Sequence, residues 1–422
     1  MMKPLVVLLA AAGVGTAAAA GTMITIAGPA APQSITIGDW NDERPGPDSS
    51  RVARLLVTMG QTDPVACEML SDQIGNFWWG GDEWGIGRFS DARTDVRAAK
   101  DSVSGQVRDP GAIRHLISSL TADDPCVRRT AAKMLGNSTI ADNDLARLFD
   151  DASPRVREAA LYAVGHEDRP ALRTRVEGLL GRDEATAAMA AWALGNLEMR
   201  ESVGPLSNAL ERGGQRVKIN AAWALGNIED GRAVDPLRGV LRDADPMLRA
   251  TAVEALGNIE AVSSAGDVER VLREDSDRRV RLAAIEALGN IESMSSLDVL
   301  SSVLEGNDVE LSIAAIDAID NLDDVHRAPA GLLRAVRAEH PDLRKTAAMA
   351  LGNIADPNTV DALIALLRDP DAEVRYAAVE GLGEIGTSAA KPGLTRALED
   401  ANAEVRRAAV EALAEIEEDN ND

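Results

Sequence analysis

The sequence predicts an all-α fold, a solenoid of short paired helices, and three observations predict it. A seven-residue phrase returns along the chain, ending at Asn137 (AAKMLGN), Asn196 and Asn227 (AAWALGN), Asn258 (AVEALGN), Asn290 (AIEALGN) and Asn353 (AAMALGN). Its glycine position (Gly136, Gly165, Gly195, Gly226, Gly257, Gly289, Asp320, Gly352, Gly383, Ala414) recurs every 29 to 32 residues, and a period of that length marks stacked supersecondary units. Composition agrees: 45% of the 422 residues are hydrophobic but only 3% aromatic, so Ala, Leu, Val and Ile must supply the buried surface.

The stretch from Ala355 to Gly386, ADPNTVDALIALLRDPDAEVRYAAVEGLGEIG, shows how one unit is built. Val360, Ala362, Leu363, Leu366 and Leu367 fall at helical spacing, and Asp369-Pro370-Asp371 interrupts them. Val374 to Leu382 forms a second helix whose Ala377 and Ala378 admit close neighbours. Gly383 then stands where a helix end favours a left-handed residue. Two short helices cannot bury their apolar faces alone, so stacked neighbours must complete the core.

The period, the paired helices, the D-x-x-V-R start of the second helix (Asp371 to Arg375, with relatives at Asp123 to Arg128 and Asp275 to Arg281) and the A-L-G-N finish resemble HEAT repeats. They look most like the short HEAT-like repeats of the phycobilisome-lyase type. The resemblance covers roughly residues 107–416. It implies a right-handed α-solenoid of about ten to twelve two-helix repeats whose second helices line the concave side. It says little about function, since the family holds many scaffolds and few enzymes.

In chain order, Lys3 followed by PLVVLLAAAGVGTAAAAGTMITIAG carries no charge until Asp39. Residues 1–20 read as a secretory signal ending near Ala18-Ala19-Ala20, or, extended to about residue 28, as a membrane anchor. Both export the remainder, to a periplasmic, extracellular or membrane-tethered position. A linker follows over 29–49. Residues 50–106 read as degenerate N-terminal repeats, with Ile74-Gly75-Asn76 echoing the recurrent phrase. The solenoid occupies 107–416, and 417–422 form an acidic tail. The two cysteines, Cys67 and Cys126, pair if the compartment is oxidising; the alternative is two buried thiols.

Within the degenerate repeats, NFWWGGDEWGIGRF (76–89) gathers five of the eleven aromatic residues. Trp78, Trp79 and Trp84 either cap the exposed end of the stack or form a recognition loop. A second aromatic group emerges when the second helices are aligned on their glycines. Three residues before the marker stand Tyr162, Trp192 and Trp223, then Glu254, Glu286 and Asp317. Neighbouring positions hold to Ala and Leu, as a packed surface should, while this one varies. The resemblance places the row on the inner face, where it suits a peptide with an apolar segment beside basic residues. The other reading packs the rings between helices and leaves the acids solvated.

Two further series read as structural. Arg128, Arg157, Arg249, Arg281, Arg344, Arg375, Arg406 and Lys218 share one place in the repeat, beside loop aspartates such as Asp123, Asp275 and Asp371, and suggest an Asp–Arg ladder. Asn137, Asn196, Asn227, Asn258, Asn290, Asn321 and Asn353 suggest side chains bonding loop backbone at helix ends. Asp320 replaces the marker glycine and suggests a bend.

The net charge of −24 argues against nucleic-acid binding, which needs clustered Lys and Arg. His115, His166, His326 and His340 lie in different units without ligand spacing, and no nucleophile, zinc or phosphate-loop motif occurs. The expectation is therefore no catalytic residue, metal or cofactor, and a non-enzymatic scaffold or adaptor of the cell envelope that binds a protein or peptide. The alternatives are a chromophore-lyase-like enzyme or its accessory subunit, suggested only by the repeat family, and a regulatory or sensor domain of an envelope system.

Overall fold

The computed structural model describes residues 23–26, 33–36, 47–61, 106–167, 169–322 and 325–419. Trp78, Trp79, Trp84 and Cys67 lie outside these residues, as do positions 1–20. Contacts divide the chain into two compact units, Met1–Thr139 and Ile140–Asp422.

In the first unit, strands Met23–Ile26 and Gln33–Thr36 pair antiparallel, with Met23 opposite Thr36. They fall across the segment read from sequence as the end of an anchor and a linker. Helix Ser49–Met59 starts at the Asp48 cap and packs on helices Pro110–Ser119 and Pro125–Gly136, burying Val52, Leu55, Leu56 and Met59. Asp109 ties these elements together, accepting from the N–H groups of Ser49 (3.1 Å) and Ala112 (2.8 Å). Cys126, on the third helix, is disulfide-bonded.

The second unit is a run of nine two-helix repeats among the described residues. Most first helices open with a 3₁₀ turn, as in Arg200–Ser202 leading into Val203–Arg212. The second helices are Pro154–His166, Glu184–Asn196, Gln215–Ile228, Pro246–Asn258, Arg278–Ile291, Val309–Asp320, Pro341–Ile354, Ala372–Ile385 and Ala403–Asp419. Each packs against the next, and each first helix packs on the second helix of its own repeat. The core lies between these two layers. Leu194, Leu225, Leu256, Leu288 and Leu351 are wholly buried there, where truncation of a leucine to alanine costs about 2–5 kcal/mol.

Local sequence sets both ends of the second helix. Asp245, Asp277, Asp308 and Asp371 accept hydrogen bonds from first-turn N–H groups, and Pro154, Pro246 and Pro341 occupy the first turn, where no N–H is needed. At the other end the structure corrects the sequence reading of the marker glycine. It stays helical, and the left-handed residue falls three positions later, at Glu198, Glu229, Glu260, Glu292, Ala355 and Gly386.

The glycine serves close approach instead. A Cβ on Gly195 would stand 2.7 Å from Ala224 Cβ; on Gly226, 2.8 Å from Ala255 Cβ; and on Gly257, 2.9 Å from Ala287 Cβ. No side chain fits at those distances without moving a helix.

The Arg–Asp ladder is present and does two jobs. Each arginine holds the carbonyls of its own interhelix loop: Arg249 Nη1 donates to Asp243 O (2.9 Å) and Ala244 O (3.2 Å), and Arg375 Nη1 donates to Asp369 O (2.9 Å). Its remaining N–H groups then reach the loop of the next repeat, in forked pairs between Arg249 and Asp275 (2.6 and 2.8 Å), Arg344 and Asp369 (2.7 and 2.8 Å), and Arg375 and Asp400 (2.8 and 2.9 Å). Arg157 with Asp183 (2.6 Å) and Lys218 with Asp243 (3.7 Å) continue the rail. The sequence reading chose the right aspartate at Asp275. At 371 it did not: Asp371 caps its helix while Asp369 makes the pair; Asp123 contributes its carbonyl oxygen to Arg128.

The rail is interrupted at three joins: Ala187 and Ser312 stand at arginine positions, and Arg281 has no carboxylate to meet. The Arg281 side chain makes no hydrogen bond among the described residues, and its Nε is buried without a partner. Two residues before the Asp308 cap, where the rail aspartate should stand, the loop has Gly306, and Ser312 occupies the next arginine position. An exposed pair, Arg278 with Asp308 (2.7 Å), spans the join instead. Helix Val309–Asp320 still packs on both neighbours, and Asp320 accepts from Asn353 Nδ2 (2.7 Å).

Restoring the missing carboxylate is expected to stabilise the join. Gly306→Asp should raise stability by about 1 kcal/mol, a charge-assisted bond to a buried donor less the cost of ordering it, read as a higher melting temperature that disappears in Gly306→Asp/Arg281→Met. The rail also sets the acid limit. Hydrogen bonds from Arg249 and Arg375 hold Asp275 and Asp400 below the usual carboxylate range, and Arg278 holds Asp308 down at about 2. Groups lowered on folding contribute stability that is complete above their unfolded pKa and is lost as pH falls toward the folded value. Urea midpoints should therefore fall as pH drops below about 4, and less steeply in Asp275→Asn.

Candidate functional site

On each second helix the residue three before the marker position projects from the packed layer. Alanine and leucine on either side are buried: Ala191, Ala193 and Leu194 around Trp192, and Ala222, Ala224 and Leu225 around Trp223. Tyr162, Trp192 and Trp223 are half-buried, and Glu254, Glu286, Asp317, Met349, Glu380 and Glu411 are exposed. Stacking therefore brings all six residues predicted from the sequence, Tyr162 to Asp317, into one row across consecutive repeats.

The three rings stack on one another. Tyr162 and Trp192 lie 5.2 Å apart at 5° between planes, and Trp192 and Trp223 lie 6.5 Å apart at 8°. The marker glycine makes this possible: a Cβ on Gly165 would stand 2.8 Å from Trp192 Cζ3, and one on Gly195 2.8 Å from Trp223 Cζ3. Each indole thus lies with one edge against the bare glycine of the preceding repeat. The rings pack between repeats and also present apolar area to solvent. One turn earlier, Ile219, Leu282 and Ile313 are half-buried and widen that apolar strip.

Beyond Trp223 the row turns acidic, and its charges repel. Partial desolvation, then the Glu286 charge, holds Glu254 above the usual glutamate range, while desolvation, then Asp320, does the same for Asp317. Desolvation raises Glu380 as well, with repulsion from Glu411, Glu384 and Glu415 adding to it. A nearby cation would relieve this repulsion.

The sequence reading misplaced the asparagines. Asn196, Asn227, Asn258, Asn290 and Asn353 lie on the helix, one turn after the ring and acid row, and do not bond loop backbone, while Asn137 and Asn321 are the C-caps of theirs. Asn196 Nδ2 donates to Trp192 O (2.9 Å) and Asn353 Nδ2 to Asp320 (2.7 Å). Asn227, Asn258, Asn290 and Asn321 have no side-chain hydrogen bond among the described residues. The constant four-residue spacing in Trp192–Asn196, Trp223–Asn227, Glu254–Asn258, Glu286–Asn290 and Asp317–Asn321 is the sequence signal that puts both rows on one face.

Among the described residues no group of three or more His, Cys, Asp or Glu side chains is placed to hold a metal ion, and no helix is long and apolar enough to cross a membrane. The small cavity of about 210 Å³ between Leu241, Arg249, Arg270 and Asp275 belongs to the rail.

A family model described as HEAT repeats matches residues 170–257, 204–271, 239–320, 266–338 and 328–414, together more than half of the chain. No curated protein matches the sequence. Among solved structures, yeast importin-β (Kap95p) is similar at 15% identity over 87% of this chain and 57% of its own, with a TM-score of 0.53. This chain therefore spans a little over half the length of that importin. An engineered protein is similar at 22% identity over 87% of this chain and 99% of its own (TM-score 0.43). The CpcE–CpcF phycocyanin lyase complex of Nostoc is similar at 20% identity over 58% and 94% (TM-score 0.34). At 15% identity the likeness to the importin is one of fold. The repeated family matches, on paired helices that stack from Ile140 to the C-terminal helix, show that the chain belongs to the HEAT-repeat family.

Proposed function

We propose that this protein is a non-enzymatic scaffold or adaptor that binds another protein, or a segment of one, on its second-helix face. The observation that carries the reading is the row itself: a half-exposed stack of Tyr162, Trp192 and Trp223 continuing into the exposed carboxylates Glu254, Glu286 and Asp317. Aromatic area in contact with solvent favours an apolar anchor, and crowded carboxylates favour cationic side chains beside it. The partner is therefore a polypeptide with an apolar stretch adjoining Lys or Arg. A solenoid offers such a partner a long surface without a deep pocket. Kap95p, which shares the fold, binds the protein RanGDP in a solved complex. The proposal extends to location: the uncharged N-terminal segment supports export, with the second-helix face acting in the cell envelope, as a concave surface, on an envelope partner.

Affinity capture from the native envelope tests this with two variants. Tyr162→Ala/Trp192→Ala/Trp223→Ala removes the stack, and Glu254→Lys/Glu286→Lys/Asp317→Lys reverses exposed charges with no core residue touched. Both should lose the same partner, the second without a change in melting. Retention of every wild-type partner by the charge-reversed protein would contradict the assignment.

A further inference from the structure

We propose that the asparagine row of the second-helix face grips the main chain of an extended peptide, one carboxamide per repeat, while the adjoining ring and acid row reads its side chains. This rests on the binding role given above to that face.

Four consecutive repeats carry the observation. Asn227 is half-buried, Asn258, Asn290 and Asn321 are exposed, and none of the four has a side-chain hydrogen-bond partner among the described residues. Asn227, Asn258 and Asn290 are not capping residues, because the left-handed positions Glu229, Glu260 and Glu292 lie two residues beyond them, while Asn321 follows directly on the last helical residue, Asp320. Nor is asparagine a helix-favouring choice for a merely solvated site: it costs about 0.5 kcal/mol relative to alanine. The side chains are also directed. Asn258 Nδ2 and Asn321 Nδ2 each lie 3.6 Å from where a Cβ on Gly226 or Gly289 would stand, so each amide lies across the bare glycine of the preceding repeat.

A carboxamide offers N–H donors and a C=O acceptor, the complement of a peptide group, and it does so whatever side chain that peptide carries. Helices packed at about 8–10 Å present one such group for every two to three residues of a strand rising ~3.3 Å per residue. A helical ligand could not use the row, since its own peptide groups are already bonded internally. Charge decides the side chains: Glu254, Glu286, Asp317 and Asp320 sit beside Asn258, Asn290 and Asn321 and favour Lys or Arg, while Trp192 and Trp223 sit beside Asn196 and Asn227 and favour an apolar residue. The occupant is an extended segment of another protein, apolar at one end and basic at the other.

Two synthetic peptides of about 16 residues, long enough to cross five repeats at ~3.3 Å per residue, supply the test. One joins alternating Leu and Ser to alternating Lys and Ser, and the other has the two halves in reverse order. Each is also made with alternate peptide nitrogens of the Lys half methylated. Titrated against the whole protein, one order should bind, and methylation should weaken it about tenfold. Asn258→Ala/Asn290→Ala/Asn321→Ala should weaken the unmethylated peptide by the same factor, lose nothing further on methylation and melt as the wild type does. Equal binding of methylated and unmethylated peptides by the wild type would overturn the main-chain grip and leave the binding role of the face standing. Failure of both orders to bind would overturn both. The wild-type comparison is decisive even if the variant does not fold.

Discussion

At seven joins between successive repeats the backbone of one second helix lies against a small residue or ring of the next, at the marker glycine. A methyl group there would come within 2.6 to 3.1 Å of the neighbour. At five of the seven the distance is below 3.0 Å, where no Cβ fits unless a neighbour shifts, and it fixes how far apart the second helices can be. Other features follow from that spacing. Ala193, Ala224, Ala255 and Ala287 must be small because they face the glycines. The indoles of Trp192 and Trp223 find a flat floor one repeat back, which aligns them within 8° of parallel. The same glycines underlie the amides of Asn258 and Asn321. The closest-packed contact of the solenoid therefore also shapes its exposed face.

The Arg–Asp rail supplies what close packing alone does not, a fixed register between loops. Its carboxylates are withdrawn from solvent, with Asp275 and Asp369 at 8% and 7% exposure, and each is used twice, by the arginine of the preceding repeat and by a backbone N–H of its own loop. Partly buried, forked pairs of this kind retain more of their Coulomb energy than exposed ones. The consequence is visible at Arg281, where one missing carboxylate leaves a buried donor without a partner and moves the joining ion pair to the surface.

Much of this was legible in the sequence. The glycine period gave the repeat and the two-helix unit, and variation among conserved-looking neighbours pointed to Tyr162, Trp192, Trp223, Glu254, Glu286 and Asp317 as one outward row. Three things were not legible. Glycine at a helix end reads equally as a left-handed cap or as a packing contact, and Gly383 looked like the first until the left-handed residue was found at Gly386. Two aspartates in one loop, Asp369 and Asp371, differ in role only by which one faces the preceding repeat, a tertiary fact. The asparagines were read as loop ligands because they end a recurrent phrase. Their four-residue offset from the aromatic and acidic positions was present throughout, but it acquires meaning only when the helix is known to continue through them.

The marker glycine is a spacing device, and a pair of alanine substitutions separates that role from helix propensity. Gly195→Ala places a methyl group 2.7 Å from Ala224 Cβ and 2.8 Å from Trp223 Cζ3, whereas Gly204→Ala, also within a helix, places one in open space. On helix propensity alone both substitutions should stabilise by roughly 0.5–1 kcal/mol. Thermal melting followed by near-ultraviolet circular dichroism, which reports the stacked indoles, separates the two effects. Gly204→Ala should melt at or above the wild-type temperature with an unchanged spectrum, while Gly195→Ala should melt lower with an altered tryptophan signal. A Gly195→Ala protein as stable as Gly204→Ala, with the wild-type spectrum, would contradict the spacing role.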